Sequence, residues 1–486
     1  MKHGKEKNAG RKASTLINIS VKTFIQVTVL LLCLTALAIA LTYIVPKGSF
    51  ATLPDGSADY GSYSELHDKK GIDPVKGIFA PFLVFASEDG LTLIMLSVFL
   101  LVISGAFQIM NDVGGIRSLV DTVSSRFGKN RVLLAVAVSF AFMCFGAFLG
   151  LFEEMLTMLP VVTLLCVSVG LDSFTGFLIC IVACGFGFAS AITNPFTVLL
   201  ASEIIGVSPT EHIWYRLIIF AVMFALLAGF ILLHIRRITR DPQSSPTFAH
   251  DEKLRLALSE GNGIPSDTNA TQNSKTRPVY CIFLLAALVM IIVFSSVPSL
   301  RGYTVPALAA YFLIFGLIAG TVACGRPGNV IKSFISGVGG ALPTIVFIAL
   351  AASVKYIFDE GGIMPTLVNQ INRLAEGKNV FVIAVIIYLI VLLLEFFISS
   401  STAKAVLVMG LLGTVSVGLS KTMTVLLYTF ADGYTNVLFP TSPVLLISLS
   451  MIGIDYFRWL KKSWWLFALN LLLVVGFIML GIVVGY

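Results

Sequence analysis

The chain contains 486 residues, of which 57% are hydrophobic and 12% are charged, and its formal net charge is +7. Because a soluble domain carries about 25% charged residues, this composition excludes an ordinary soluble protein. The positive charge does not indicate a nucleic-acid partner, because the basic residues cluster beside apolar segments, where they orient membrane spans.

Apolar segments recur along the chain at or near the length of about 18 residues that crosses a bilayer. The eight clearest are Phe24–Val45, Leu91–Met110, Val132–Gly150, Ile213–Leu233, Val279–Val297, Thr304–Cys324, Val380–Phe397 and Trp464–Tyr486. We therefore predict an all-α polytopic membrane protein. The basic N-terminus predicts that this end is cytoplasmic and that the protein lies in the inner or plasma membrane of the cell.

The charge pattern divides the chain into four segments. Residues 1–23 form a cytoplasmic tail, 24–235 a first membrane repeat, 236–277 a polar cytoplasmic linker, and 278–486 an extra span followed by a second membrane repeat. No small-residue cleavage site follows the first apolar segment, so we interpret that segment as a retained anchor and not as a signal peptide.

The cysteines and histidines do not form the pattern of a metal site. The seven cysteines stand in or at the ends of apolar segments, and none is spaced with histidine as metal ligands are. We interpret them as buried small apolar side chains and predict no cofactor. Asp172, in the turn after Val167-Ser-Val-Gly-Leu171, is interpreted as a solvated helix start.

An internal repeat relates the two halves of the chain. Four short motifs recur in the same order, 247 to 249 positions apart: Asp112-Val-Gly-Gly-Ile116 as Asp359-Glu-Gly-Gly-Ile363, Gly128-Lys-Asn130 as Gly377-Lys-Asn379, Val167-Ser-Val-Gly-Leu171 as Val415-Ser-Val-Gly-Leu419, and Thr193-Asn194-Pro195 as Thr441-Ser442-Pro443. One such match is weak, but four in a single register are hard to ascribe to chance.

The second repeat is predicted to be inverted in the membrane. The first repeat begins at Phe24 on the cytoplasmic side, whereas its counterpart Thr304–Cys324 follows the additional span Val279–Val297 and so begins on the opposite side. Repeats of opposite topology with interrupted helices near the midplane are typical of secondary transporters. The pattern predicts two re-entrant hairpin tips and two unwound helices that converge on one site.

Polar residues mark the predicted tips and breaks. They are Glu153 and Glu154 at the first tip, Asn194 and Thr197 at the first break, Ser399, Ser400, Ser401 and Thr402 at the second tip, and Thr441 and Ser442 at the second break. Half-helix N-termini present N–H groups and a partial charge of about +0.5 to a carboxylate. The oxygens of Thr193, Asn194 and Thr441 are alternative ligands for Na⁺.

Ionisable residues in apolar surroundings are costly and are functional by default. Lys404 follows the second tip, and three roles are open to it: ligand of a substrate carboxylate, replacement for a coupling cation, or partner of Glu154 or Glu395. Asp432, with Thr435 and Asn436, is predicted to be a substrate ligand or a cap of the broken helix. Gly433 beside it permits unusual backbone angles.

Three stretches resemble the C4-dicarboxylate anaerobic carrier family, and most closely its YfcC-like branch of basic amino acid antiporters: Gly150–Gly206, Ala431–Pro443 (ADGYTNVLFPTSP) and Tyr43–Gly48. The resemblance implies the architecture of the ion transporter superfamily, with a scaffold and a mobile, elevator-type transport domain that carries two hairpins, and it implies a homodimer.

Two positions depart from that family. The second tip reads Ser399-Ser-Ser-Thr-Ala-Lys404 where the family reads SGSGQA, and Pro443 stands where glycine is usual. A lysine at the tip repels a nearby Na⁺. This favours exchange of substrates or coupling to protons.

These features predict a secondary-active transporter of a small carboxylate-bearing metabolite. The favoured substrate class is an amino acid, and within it a basic amino acid of the arginine or ornithine type. A C4-dicarboxylate is the alternative substrate, and coupling to Na⁺, H⁺ or a counter-substrate is left open. An intramembrane enzyme is disfavoured because no Gly-x-Gly-Asp, HExxH or Ser/His arrangement occurs. A non-transporting receptor is disfavoured because the polar segments are too short for a recognition domain.

Overall fold

The structure is a computed structural model that describes most of the chain. It covers residues 21–52, 58–66, 71–87, 90–116, 130–259, 275–363, 378–396 and 419–486, together with positions 118, 365, 366, 369, 405, 408 and 409. Among the predicted site residues, the second tip (Ser399, Ser400, Ser401, Thr402 and Lys404) lies outside these described residues.

The described part of the chain is almost entirely helical. In chain order its α-helices are α1 (Val21–Ile44), α2 (Pro74–Leu83), α3 (Gly90–Asp112), α4 (Arg131–Cys144), α5 (Met155–Ser168), α6 (Ser173–Phe177), α7 (Ala183–Ala189), α8 (Leu200–Ile205), α9 (Ile213–Arg240), α10 (Phe248–Ser259), α11 (Thr276–Ser296), α12 (Thr304–Cys324), α13 (Pro327–Gly361), α14 (Val380–Glu395), α15 (Lys421–Leu438), α16 (Pro443–Met451) and α17 (Tyr456–Val484). Wider π-helical turns follow α4, join α6 to α7 and precede α8, at Phe145–Leu149, Leu178–Val182 and Pro195–Leu199.

Within the described residues, seven helices are long and apolar enough to cross a membrane, so the chain is a multi-pass membrane protein. One of them, α13 (Pro327–Gly361), was not among the eight apolar segments predicted from the sequence. Glycines, serines and Lys332 in its first half lower the local hydropathy, although the helix runs on through Pro343 for 35 residues.

One antiparallel hairpin departs from the predicted all-α class. Strands β1 (Gly48–Thr52) and β2 (Ala58–Glu65) pair between α1 and α2. The Gly48 N–H donates to the Gly362 carbonyl at 3.2 Å, and the Tyr63 and Thr366 hydroxyls lie 2.9 Å apart. The hairpin therefore caps the end of α13.

The helices pack in two groups. Helices α1–α3 and α11–α13 contact one another and form what we call the long-helix group, whereas α4–α10 and α14–α17 form the broken-helix group. The groups meet where α16 contacts α13 and α1, and where α11 contacts the π-helical turn Phe145–Leu149. A small cleft lies between them, lined by Leu100, Ile103, Phe107, Leu156, Pro160, Ala341, Thr344, Ile447 and Met451.

Two helices are interrupted at the predicted places. The first is helical from Ser173 to Ala189 and resumes at Pro195, and the second ends at Leu438 and resumes at Pro443. Each second arm begins with a proline directly after a capping residue, Asn194 or Ser442. Proline at the first helical position loses no intrahelical bond, so a cap followed by proline restarts a helix at low cost.

Glycines with positive φ recur at the same spacing as the sequence motifs. Gly114 and Gly362 have φ of +77° and +67°, and Gly206 and Gly453 have φ of +69° and +71°. Each follows a helix and turns the chain there, a conformation that glycine adopts without steric penalty. The two pairs are separated by 248 and 247 positions.

Gly433 corrects one prediction. It lies with Asp432 inside the uninterrupted helix α15, several residues before the break at 439–442, so Gly433 has ordinary helical angles and Asp432 does not cap a broken helix. A glycine stands at this position because the helices pack closely: a Cβ on Gly433 would lie 2.1 Å from the backbone of Ala189 on α7. The two broken helices cross at this contact.

Asp172 corrects a second prediction. It does begin a helix, because its side chain accepts a hydrogen bond from the Thr175 N–H. It is not solvated, however, because its side chain is buried against His234 and the polar linker.

We expect Gly433→Ala to lower the melting temperature of the purified protein, because the added methyl group must displace the α7 backbone at a cost of about 1–3 kcal/mol. The matched control is Gly229→Ala in α9, where nothing lies within 4 Å of the added Cβ. This variant should keep or raise the melting temperature, since alanine is the better helix former. Equal shifts in the two variants would contradict the close crossing.

Candidate functional site

The first predicted tip is a turn between two helices. The helix that starts at α4 ends in the π-helical turn Phe145–Leu149, Gly150 reverses the chain with φ of +68°, and α5 begins at Met155. Glu153 is exposed, whereas Glu154 is buried and its Oε2 accepts a hydrogen bond from the Phe152 N–H at 3.3 Å. The two neighbouring glutamates thus face different environments.

Helix α7 packs directly against this tip. The Cys184 thiol donates to the Leu151 carbonyl, and the Cys180 thiol contacts the Met155 carbonyl at 3.6 Å. Gly146 lies so close to α7 that a Cβ would clash with the Cys184 carbonyl. The buried cysteines and the small residues around them let the tip rest directly on the first broken helix.

The first break is tied to the same turn. Asn194 Oδ1 accepts from the N–H groups of Phe196 and Thr197 at 2.9 and 3.3 Å, and its Nδ2 donates to the Gly146 carbonyl at 3.2 Å. Thr193 donates to the Phe148 carbonyl at 3.3 Å. The prediction that this helix start presents its N–H groups to a carboxylate is therefore wrong for Phe196 and Thr197, because the Asn194 side chain already accepts from both.

In the part of the chain that the structure describes, two buried hydroxyls near the first tip and the first break lack hydrogen-bond partners, in contrast to the Asn194 side chain. Thr197 at the break and Thr157 in the first turn of α5 are fully buried, and within the described residues neither Oγ1 has a hydrogen-bond partner. A buried hydroxyl without a partner costs about 1–3 kcal/mol. Both atoms are therefore available to a ligand. Sequence reasoning selected Thr197 but missed Thr157.

The second break has a similar local design. The Ser442 hydroxyl accepts from the Leu445 N–H at 3.4 Å, and Thr441 before it is buried. The rings of Phe396 and Phe439 lie 5.3 Å apart, so the end of α14 reaches this break.

Asp432 lies on α15 before the second break and is fully buried. The Thr435 hydroxyl donates within its own helix, to the carbonyls of Ala431 and Asp432, while Asn436 is half-buried. Glu395 is also buried, on α14, which packs against α15.

The two halves of the site join where α7 crosses α15. The Ser190 and Tyr434 hydroxyls lie 3.4 Å apart, and the rings of Phe186 and Tyr434 are 5.2 Å apart. Through α7, the first tip, the first break and the Asp432 stretch of α15 form one continuous buried region.

Arg216 is a residue that the sequence reasoning missed. It lies on α9, is 3% exposed, and donates to the Ile192 carbonyl at 3.2 Å and the Pro209 carbonyl at 2.6 Å. Ile192 belongs to the first break, so the guanidinium pairs a carbonyl that the interrupted helix leaves open. An arginine inside the apolar segment Ile213–Leu233 was the available signal.

This region combines two buried carboxylates, Glu154 and Asp432, with buried hydroxyls at helix interruptions. Such oxygens suit an ammonium or guanidinium group, or a desolvated cation, better than an anion. Within the parts of the chain that the structure describes, no group of three His, Cys, Asp or Glu side chains could hold a metal ion.

Comparison with known proteins extends over most of the chain. The family model of the C4-dicarboxylate anaerobic carrier matches residues 24–483. A relative in Escherichia coli K12, named "Putative basic amino acid antiporter YfcC", is 25% identical over 407 residues, which are 80% of this chain and 78% of the relative. An uncharacterized protein of Haemophilus influenzae is 23% identical over 392 residues, 80% of this chain and 75% of the relative.

Two solved transporter structures also align with the chain. The YdaH transporter of Alcanivorax borkumensis is 17% identical, with a TM-score of 0.42, and the alignment covers 95% of this chain and 99% of the YdaH chain. MtrF of Neisseria gonorrhoeae, an antimetabolite efflux pump, is 14% identical, with a TM-score of 0.41, and the alignment covers 93% of this chain and 94% of the MtrF chain.

The family is named for a carrier and the Escherichia coli relative is named as an antiporter, so these relatives are described as transporters and not as enzymes. The family match spans nearly the full length of the chain, including both interrupted helices. The chain belongs to the C4-dicarboxylate anaerobic carrier family.

Proposed function

We propose that this protein is a secondary-active transporter that exchanges a small carboxylate-bearing metabolite, an amino acid with a basic side chain. One observation carries the proposal: two carboxylates are buried among apolar helices, Glu154 at the first tip and Asp432 on α15 beside the crossing of Gly433 with Ala189. Intramembrane ionisable residues mark substrate and ion pathways.

The proposed binding mode gives each end of an amino acid its own partners. Glu154 and Asp432, with Glu153 at the mouth of the tip, hold the amino or guanidino group. The hydroxyls of Thr197, Thr435, Thr441 and Ser442 and the amide of Asn436 surround the α-carboxylate. The sequence adds further candidate ligands at the second tip, outside the described residues: Ser399, Ser400, Ser401, Thr402 and Lys404, whose charge would balance that of the carboxylate. Asn194 acts by positioning the break.

A C4-dicarboxylate is the second candidate substrate, and the family's description favours it. In that case Lys404 pairs with the second carboxylate, and the buried Glu154 and Asp432 are left without a role in substrate binding. A coupling Na⁺ near Thr193, Asn194 and Thr441, or a proton on one of the carboxylates, is compatible with either substrate.

We also propose that the two repeats are inverted. The register mates Asp172 and Ser420 both cap helix starts, and they have partners at opposite ends of α9. Asp172 pairs at 2.9 Å with His234, towards the end of α9. Ser420 donates to the Tyr486 carbonyl, and the Tyr486 ring lies 5.7 Å from that of His212, next to the start of α9. This placement supports opposite orientations.

Transport is proposed to occur by movement of the broken-helix group against the long-helix group. The cleft between the groups is lined by apolar side chains from α3 and α13 on one side and α5 and α16 on the other. Its polar member, Thr344, donates to the Ala341 carbonyl of its own helix at 2.6 Å. Apolar surfaces can slide without first breaking hydrogen bonds, which supports an elevator-type movement.

Proteoliposome exchange tests the substrate directly. Vesicles loaded with labelled arginine should release it when arginine or ornithine is added outside, while aspartate and succinate leave it inside. The same vesicles without protein are the control. Exchange of succinate without exchange of basic amino acids would select the dicarboxylate alternative, and absence of any exchange across this panel would contradict the proposal.

Glu154→Gln should reduce arginine exchange at least tenfold, because it removes the buried charge that faces the cationic group. The matched control is Glu203→Gln on α8, where the side chain is exposed. Initial rates over a range of arginine concentrations separate affinity from turnover. Normal exchange by Glu154→Gln would remove this residue from the binding site.

Thr197→Val should lower exchange at least tenfold and yet raise the melting temperature, because it replaces a buried hydroxyl that lacks a partner with a methyl group of similar shape. The control is Thr163→Val, whose hydroxyl donates to the Leu159 and Pro160 carbonyls at 2.9 Å each. It should leave exchange unchanged. A lower melting temperature for Thr197→Val with normal exchange would indicate a purely structural hydroxyl.

A further inference from the structure

Part of the segment between the two membrane halves is folded against the membrane helices. After α9, residues 242–244 form a 3₁₀ turn and Phe248–Ser259 form α10. We call residues 241–259 the strap. The sequence predicted a polar linker here, and nothing in its composition indicated tertiary contacts.

Asp251 connects the strap to the start of the first broken helix. Its carboxylate accepts hydrogen bonds from the N–H of Ser173 at 3.1 Å and from the Ser173 hydroxyl. The Thr247 hydroxyl, four residues earlier in the strap, donates to the same carboxylate at 2.6 Å. Asp251 is 1% exposed, so these bonds are shielded from water.

Asp172 forms a second connection beside it. Its carboxylate accepts from Ser245 of the strap at 2.6 Å and from Thr175 of the broken helix, and it pairs with His234 at 2.9 Å. Burial acts to raise the pKa of Asp172, but the hydrogen bond and charge attraction of His234, followed by the Ser245 and Thr175 hydroxyls, lower it to about 2. The carboxyl is therefore ionised at neutral pH.

The remaining strap contacts reach the same helix group. Arg255 donates to the Leu171 carbonyl at 3.0 Å, and the His250 ring packs on Gly453, in the turn between α16 and α17. Helix α10 itself lies against α5. Every one of these partners belongs to the broken-helix group.

We propose that the strap is a fixed part of the broken-helix group and that Asp251 is a positioning residue of the transporter. By holding the N–H and hydroxyl of Ser173, Asp251 fixes the start of the helix whose other end is the break at residues 190–194. A carboxylate at a helix N-terminus also stabilises that end through the helix dipole. The effect on transport, though not the docking itself, rests on the proposed function.

In the proposed movement of one helix group against the other, the strap travels with the broken-helix group, because the contacts described above all join it to that group.

Hydrogen exchange of the full-length protein, read by mass spectrometry, tests the docking without any substrate. Asp251→Ala should raise the exchange rate about tenfold in peptides from α10 and from Ser173–Phe177, and also in the peptide that spans Ser190–Thr197. Asp251→Asn keeps one acceptor oxygen and should give an intermediate increase, and it serves if the alanine variant does not fold. The matched control is Glu252→Ala, the exposed neighbour on α10, which should exchange like the wild type.

Initial transport rates of the same variants form the second arm. Asp251→Ala should lower the maximal rate several-fold with an unchanged KM, because Asp251 does not touch the substrate, and Glu252→Ala should match the wild type. If hydrogen exchange in Asp251→Ala were unchanged both in α10 and at the break, the proposal would be overturned. It would also be overturned if hydrogen exchange became faster in α10 while the break exchanged normally and the maximal transport rate stayed normal. If the wild type and Glu252→Ala both fail to transport, the proposed function is wrong, while the exchange pattern still decides the positioning role.

Discussion

The structure depends on the pairing of backbone groups where a buried helix is interrupted. Inside a membrane no water can replace a missing hydrogen bond, and each unpaired group costs several kcal/mol. At the first break, the N–H groups of Ile192 and Thr193 donate to the Ala147 carbonyl, Arg216 donates to the Ile192 carbonyl, and Asn194 accepts from the following turn. A break held in this way needs the hairpin turn at Phe145–Leu149 as its partner, and so the tip and the broken helix occur together.

Close packing through glycine gives that partnership its geometry. Gly146 brings the tip against α7 at Cys184 and Phe188, and Gly433 brings α15 against the same helix at Ala189. Side chains larger than hydrogen at these positions would separate the elements and open the buried region. The region therefore combines tightly packed helices with two buried hydroxyls, those of Thr157 and Thr197, that have no hydrogen-bond partner within the described residues, and this combination suits repeated binding and release of a small polar solute.

Much of this organisation could be predicted from the sequence, because it rests on local rules. A capping residue before proline marks each helix restart, and a register of 247 to 249 positions relates Asn194 to Ser442. The features that escaped prediction depend on tertiary contacts. Gly433 was interpreted as a source of unusual backbone angles because only the crossing with Ala189 reveals its packing role. Likewise, α13 was overlooked because its glycines dilute hydropathy. A solvated position was assigned to Asp172 because two of the partners that bury it, His234 and Ser245, lie more than sixty positions further along the chain.

The docked strap has a consequence for how the protein is made. The residues that close the hydrogen bonds at Ser173 follow directly after α9, so they leave the ribosome before α11 or any later helix has been synthesised. The first half of the chain can thus complete the buried end of its broken helix from its own sequence, in keeping with the tendency of proteins to fold from the N-terminus during translation. An intermediate of biogenesis would then contain a finished first tip and first break, against which the second half of the chain assembles.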